Sequence, residues 1–318
     1  MRLGLMLGSD RDLPSGERLP AWIDSARAAD EAGYASMWIT QIPGYLDALT
    51  AIALMGPQTS RIELATSVVP IQTRHPVAMA QQVLTTQIAG GGRVTLGVGP
   101  SHHWVVEDQL GLPYERPAHL VRNYLEVLNA ALAGPGAVDV ENEVYRVHSP
   151  MNVTDLPPTP VLLAALAPVM LRLAGEHASG TILWMADERA IAEYVRPRIT
   201  KAAADAGRPA PRIVAGVPVA LCSGRQLENV REVANDVLGH ADFSPNYMRL
   251  LEHGDAEDVG DVVAAGDEEA VVARLRRFRD AGVTDLAARV LPLGDEPDAR
   301  RESRQRTRAF LDTITSEL

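Results

Sequence analysis

His102 and His103 stand side by side, with Glu107 four residues beyond the second. Imidazole and carboxylate groups at this spacing suit either a metal ion or acid–base work. Adjacent side chains diverge and no third ligand sits at a suitable distance along the chain, so no metal is expected. His102 is the candidate catalytic residue, because an imidazole changes charge near neutral pH and can supply or orient a proton. The segment leading to it, Gly97-Val98-Gly99-Pro100-Ser101-His102, opens like a dinucleotide-binding turn. The third glycine of that turn would fall at His102, where a side chain keeps helix and strand apart, so a Rossmann site is rejected. No Walker loop, HExxH or GxSxG occurs, which removes the simplest NTPase and hydrolase readings. His75, in Arg74-His75-Pro76, either touches a ligand or caps the helix that follows. Trp104 and Trp184 lie at or just past apolar runs, where each either fills core or stacks on a planar ligand. Cys222 is the lone cysteine; it can form neither an internal disulfide nor a cysteine zinc site, and reads as a buried thiol.

The 318 residues are 46% apolar and 22% charged, with a net charge of −11. An acidic chain has no general attraction for nucleic acid or anionic membrane, so the expected partner is a small-molecule substrate, and a local basic pocket for an anionic one is compatible with that. The apolar opening at residues 1–8 is too short for a signal peptide. The apolar window 161–171 is about half of what a membrane helix needs, and a cytoplasmic protein is expected.

These residues need a scaffold, and the pattern that recurs is a short apolar run followed by a longer amphipathic stretch. Strands are expected at 2–7, 36–39, 62–69, 94–98, 161–165, 180–184, 213–221 and 285–290. Leu19, Trp22, Ile23, Ala26 and Ala29 recur at helical spacing, as do Val77, Ala80, Gln81 and Leu84 after Pro76. Glu31-Ala32-Gly33, Asp205-Ala206-Gly207 and Asp280-Ala281-Gly282 each close a helical stretch before a strand, where glycine supplies the left-handed residue at the helix end. Gly90-Gly91-Gly92 marks a tight turn. Eight such units in one chain predict an α/β fold of the closed (β/α)8 TIM-barrel type, an open doubly wound sheet being second. One domain over 1–318 is expected, with an insertion after strand 4 at roughly 134–160 carrying a hairpin at 138–147. The strand-to-helix loops then gather 41–45, 70–75, 99–107, 165–168 and 185–188 at one face.

Beyond spacing, an ordered set of segments resembles the luciferase-like monooxygenase family. It runs from Ala28-Ala29-Asp30-Glu31-Ala32-Gly33-Tyr34 and Trp38 through Thr59-Ser60-Arg61-Ile62-Glu63-Leu64-Ala65-Thr66-Ser67-Val68. It continues with Arg74-His75-Pro76, Gly91-Gly92-Arg93-Val94-Thr95-Leu96-Gly97-Val98-Gly99, Pro160-Val161-Leu162-Leu163-Ala164-Ala165-Leu166-Ala167-Pro168 and Leu173-Ala174-Gly175. Gly99-Pro100-Ser101-His102 with Val105-Val106-Glu107, and Ile182-Leu183-Trp184-Met185-Ala186, resemble the actinobacterial branch that uses coenzyme F420.

The resemblance implies an oxidoreductase whose hydride carrier is F420, with FMN as the alternative. It implies cofactor contacts at Thr66, Ser67, Val68, His75, Ser101, Ala165, Leu166 and Ala167, and a substrate pocket at Gln41, Tyr45, Trp104 and Trp184. In relatives the peptide matching Ser67–Val68 is often cis and lies behind the carrier's central ring. Two departures stand out. Leu166 and Ala167 replace glycines in a turn that holds the cofactor's phosphate. Gln41 and Ile42 occupy the place of an Asp-His pair that takes the hydroxyl proton in alcohol-oxidising relatives. The expected reaction is therefore reduction of an activated C=C or C=N bond. The alternatives are an FMN-dependent monooxygenase and a non-catalytic flavin-binding barrel. A homodimer is implied, with helices 76–89 and 117–131 at its interface, and 298–308 reads as a solvated last helix.

Overall fold

The computed structural model describes residues 1–8, 13–134, 136–153, 155–238 and 244–318; Pro135 and Thr154 of the expected insertion lie outside them. In chain order the strands are β1 (Arg2–Leu7), β2 (Ser36–Ile39), β3 (Glu63–Thr66), β4 (Val69–Pro70), β5 (Val94–Gly99), β6 (Gly136–Glu141), β7 (Arg146–Met151), β8 (Val161–Ala164), β9 (Gly180–Trp184), β10 (Arg212–Leu221), β11 (Ala264–Gly266) and β12 (Asp285–Val290). Among the described residues, β1, β2, β3, β5, β8, β9, β10 and β12 pair in that order, always parallel, and β12 returns to β1. The result is a closed (β/α)8 barrel, as the alternation of elements predicts.

The single strand expected at 62–69 is two pieces. Between them the Ser67–Val68 peptide is cis, and β4 pairs with the end of β5. Thr66, at the break, is fully buried; its hydroxyl donates to the Gly97 carbonyl and accepts from the Gly97 N–H, both at 2.8 Å, where a ladder bond would otherwise run. β11 was not foreseen, because three small residues carry no period. β6 and β7 form the antiparallel hairpin expected within the insertion, and Tyr145 at its turn meets Tyr124 and His75 edge-on.

Trp22, Ala26 and Ala29 bury one face of the helix Ser15–Glu31, as their spacing predicts. The helix Pro76–Ala89 is rotated from the expected face: Met79, Ala80, Val83 and Leu84 are buried, while Gln81 is exposed. Gly33, Gly207 and Gly282 all have positive φ at their helix ends. No helix among the described residues is long and apolar enough to cross a membrane.

The N-terminal end of the barrel is closed by charge. Arg212 donates Nη1 to Glu63 at 2.8 Å and grips Asp285 with Nη2 at 2.8 Å and Nε at 3.2 Å. Arg2 pairs with Glu63 as well, Thr95 donates to Glu63 at 2.5 Å, and Thr284 donates to Asp285 at 2.7 Å. Burial raises the Glu63 carboxyl, but hydrogen bonds and charge from Arg212 outweigh it and hold the group below its ordinary range. Trp38 sits above this layer, fully buried, its Nε1 donating to Ser36 at 2.9 Å, with the Arg212 guanidinium 5.8 Å from its ring. Met6, Ala65, Leu162, Ile182, Val214 and Ala287 pack around it.

A second knot on the same face ties the loops. Asp30 accepts from the N–H groups of Ser60, Arg61 and Ile62 and from the Ser60 hydroxyl at 2.7–3.0 Å. Arg93 donates to carbonyls of Gly56, Thr59 and Ile62 at 2.7–3.1 Å. Burial works to raise Asp30, yet the hydrogen bonds from Ser60, Ile62 and Arg61 bring it down to about 2.

Two stability outcomes follow from these groups. In urea denaturation, Arg212→Met is expected to cost about 3–5 kcal/mol, since Glu63 and Asp285 lose the cation between them; a loss under about 1 kcal/mol would show that the plug is not cohesive. The carboxyl of Asp30 has a lower pKa folded than unfolded, so its contribution is full above the unfolded value near 3.8 and is lost as pH falls toward 2. Asp30→Asn should flatten the acid limb of the stability–pH curve over that window; an unchanged acid limb would remove Asp30 from it.

Candidate active site

The strand ends opposite the plug form the mouth. Alternation along a strand turns every second side chain inward, and the topmost inward residues are small or flat: Gly8, Thr40, Ser67, Gly99, Ala164, Trp184, Gly216 and Arg289. Neighbours around this ring touch. Thr40 and Ser67 hydroxyls are 3.5 Å apart. A methyl added at Gly99 would stand 3.0 Å from both Ala164 Cβ and Val68 Cγ2, and one at Gly216 would stand 2.8 Å from the Trp184 ring and 2.9 Å from Met6 Cε. The floor is therefore a shallow cradle bounded by the half-buried Val68 on one side and the half-buried Trp184 on the other.

His102 leaves β5 just above the cradle, after Ser101, whose φ of 57° is rare for a residue other than glycine. The imidazole stacks on Trp104, centroids 4.3 Å apart and planes 11° from parallel, and lies 5.5 Å from the ring of Tyr247. Tyr247 belongs to the helix Pro245–Leu251, which follows β10, so this contact joins loops from well-separated strands. Burial, with a smaller push from His103, brings the His102 pKa down to about 4. The expectation that this ring titrates near neutrality is thus corrected: at pH 7 it is a neutral hydrogen-bonding group. Burial likewise pushes the Tyr247 hydroxyl up to about 12.

The remaining predicted residues divide by what holds them. Ser67, Val68, Ser101, Trp104 and Trp184 are half-buried at the mouth. Ala165 is buried, and its carbonyl accepts from Thr181; Leu166 and Ala167 are half-buried and lead into the helix Pro168–His177, whose first turn carries no side-chain cap. Thr66 is spent on Gly97 and has no surface for a cofactor, a correction to its expected contact role. His75 is exposed and caps its helix, Nδ1 accepting from Val77 N–H at 3.3 Å, so the structural reading describes it. Gln41 Oε1 accepts from Ala48 N–H at 2.8 Å, which fixes it as the brace of a second helix start, and Tyr45 has the Arg18 guanidinium 5.6 Å from its ring.

Three residues here escaped the sequence reading. Arg289 was legible in principle, from the inward alternation Asp285, Ala287, Arg289. Tyr247 gave no signal, since only the fold brings it to His102. Gln72 donates to Pro100 O at 2.5 Å, while its Oε1 is buried with no partner among the described residues.

A family model described as luciferase-like monooxygenase matches residues 1–285 of this barrel. The chain belongs to that family. Proteins similar to it include the 5,10-methylenetetrahydromethanopterin reductase of Methanolobus tindarius, 22% identical over 289 residues, covering 83% of this chain and 88% of that protein. Among solved folds, the coenzyme F420-dependent tetrahydromethanopterin reductase of Methanopyrus kandleri superposes with a TM-score of 0.73 at 21% identity, over 100% of this chain and 98% of the other. An F420-dependent secondary alcohol dehydrogenase bound to an F420–acetone adduct does so with a TM-score of 0.78 at 15% identity, again over 100% and 98%. As a member of this luciferase-like family the chain is an oxidoreductase.

The low pKa has a direct reading in kinetics. His102 stays neutral between about pH 6 and 8, so the rate profile should show no inflection from it there. His102→Ala is expected to lower turnover by about 10–100-fold while cofactor affinity changes far less. Unchanged turnover in this variant would take His102 out of the site.

Proposed function

We propose that this protein is an F420-dependent reductase acting on an activated C=C or C=N bond of a small organic substrate. The observation that carries the reading is Gln41: its amide oxygen is committed to Ala48 N–H and its neighbour is Ile42, so among the described residues no base stands where an alcohol's proton would be taken. His102 does not substitute for it, because burial has made its ring a weak base. Oxidation of an alcohol needs such a base, whereas reduction of an unsaturated bond needs a proton that water can deliver.

The cradle fits a flat tricyclic carrier. Val68 and Ser67 would back its ring, Gly99 and Ala164 would allow close approach, and the uncapped turn after Ala165, Leu166 and Ala167 would offer backbone N–H groups to its phosphate. Ser101 would border it. When bound, the deazaflavin supplies the hydride and, unlike FMN, reacts poorly with oxygen. His102, held by Trp104 and Tyr247, would orient the substrate's acceptor atom with an uncharged N–H and help exclude water. The whole would work as one domain with the hairpin as an insertion.

Fluorescence titration with oxidised F420 and, separately, FMN separates the readings. F420 is expected to bind at least about tenfold more tightly, a difference of about 1.4 kcal/mol; the reverse preference would move the assignment to an FMN-dependent monooxygenase, and binding of neither to a non-catalytic barrel. Gly99→Val should fill the cradle, weakening F420 by about tenfold or more and lowering Tm somewhat, because the added Cβ meets Ala164 and Val68 at 3.0 Å; retained affinity in the folded variant would mean the ring lies elsewhere.

A further inference from the structure

The helix Pro245–Leu251 belongs to the excursion between β10 and β11, yet it meets His102, which follows β5, three strands away round the barrel. Pro245, Asn246, Met248 and Arg249 are exposed, while Tyr247, Leu250 and Leu251 turn inward as the i, i+3, i+4 set of one helix face. The chain beyond the helix is fastened to the loop that follows Trp184. Asp187 is buried there and accepts from Ala190 N–H and Ala256 N–H, each at 2.8 Å, and from Asp255 N–H. His253 stacks on Tyr194 with centroids 3.9 Å apart. Tyr247 is therefore presented to the mouth by a braced segment.

The rings of Tyr247 and His102 are 5.5 Å apart and tilted by 41°, and neither side chain makes a hydrogen bond among the described residues. The hydroxyls of Tyr34, Tyr124 and Tyr194 also lack a partner, but they are sealed inside the protein; that of Tyr247 is not. Burial alone raises the Tyr247 hydroxyl, so at neutral pH it is a donor. The uncharged His102 ring carries one N–H as well. Two neutral donors thus stand side by side above the cradle. Donors at this spacing converge on one atom, the arrangement that steadies an oxyanion as it forms. An imine nitrogen has one lone pair and takes one such bond, whereas a carbonyl oxygen has two and takes both. The strand-end ring below is uncharged except for Arg289, whose guanidinium is already engaged, so that ring leaves no counter-charge for an ionic substrate. Trp184 offers a flat surface for a conjugated frame.

We propose that the Tyr247 hydroxyl and the His102 N–H together hold the carbonyl oxygen of a neutral α,β-unsaturated ketone or aldehyde, an assignment that rests on the reductase reading above. A C–H bond forms at the β-carbon with a hydride from the reduced deazaflavin, which is thereby oxidised. The π pair of the C=C bond moves between the α-carbon and the carbonyl carbon, and the carbonyl π pair settles on oxygen as an enolate. A proton from water then forms the α C–H bond and restores the C=O bond. Tyr247 keeps its own proton throughout. Charge on the oxygen is greater in the transition state than in the bound enone, so both hydrogen bonds strengthen as the hydride moves.

The test compares the wild type with Tyr247→Phe, which keeps the ring against His102 and removes only the hydroxyl. 4-Nitrophenol carries its phenolate oxygen on a planar frame, as an enolate does, and its visible absorbance reports how much of the bound dye is ionised. The ionisation constant of the bound dye should be about 10–100-fold larger in the wild type than in Tyr247→Phe, the span of one hydrogen bond to a charged acceptor. With cyclohex-2-enone and reduced F420, kcat should fall by a similar factor in the variant, with KM and F420 affinity little changed. Absence of dye binding to the wild type, an ionisation constant unmoved by the substitution, or an unchanged kcat would overturn the proposal. So would a wild type that binds F420 and leaves cyclohex-2-enone unreduced. A parallel loss of F420 affinity in Tyr247→Phe would overturn it too, by giving the hydroxyl to the cofactor. If the dye shift is present and the wild type binds no F420, the oxygen site stands and the F420 reading fails.

Discussion

The contact on which the rest of this barrel depends is the grip of Arg212 on Glu63 and Asp285 at its N-terminal end. A closed eight-stranded barrel has room for a few layers of side chains and no more. Here the lowest layer is ionic, and it is satisfied by two carboxylates, a second arginine and two threonines, which is what a buried charge set requires. Trp38 rests on that layer and takes up much of the next. Its bulk is matched by Gly4, where a methyl would collide with Ser36 and reach 3.1 Å from the indole nitrogen. With the bottom and middle filled, the top layer is free to be small, and it is: Gly8, Gly99, Ala164 and Gly216 leave the hollow in which chemistry can occur.

This division explains which parts of the site were legible in the sequence. The strands were, because a short apolar run followed by a helix and a glycine stop is a local pattern, and the glycines at 33, 207 and 282 adopt the positive φ that such stops need. The break at Ser67–Val68 was hidden from periodicity, since nothing in the run 62–69 interrupts a strand pattern; it entered only through likeness to a family. β11 and the rotated face of Pro76–Ala89 were missed because small residues and glutamines blur the period that fixes a face.

The family segments themselves proved to be of two kinds. Asp30, Ser60 through Ile62 and Arg93 form one hydrogen-bonded knot at the end of the barrel that holds it together. Ser67, Val68, Gly99 and Trp184 stand at the other end. A likeness read along the chain does not distinguish them, and Thr66, one residue from the bulge, shows the consequence: it resembles a cofactor contact and is instead the tie that lets the strand break. Tyr247 and Arg289 had the opposite fate. Neither lies in a recognisable segment, yet both reach the mouth, the first through a loop excursion after β10 and the second through simple alternation on β12.

The protonation states at the mouth bear on direction of reaction more than any motif does. Removing a hydride from an alcohol leaves a proton that must go to a base, and efficient transfer asks for a base whose pKa lies near the working pH. His102 is far below it, and Tyr247, raised by burial, is far above. Gln41 has no basic atom at all. Adding a hydride to an unsaturated bond makes the opposite demand: charge builds on the acceptor, and donors that are neutral or fixed in charge serve it without first having to lose a proton. The neutral imidazole N–H of His102 is such a donor. Among the described residues the mouth thus offers neutral donors more readily than bases, and it is this asymmetry that supports the reductive reading proposed for it.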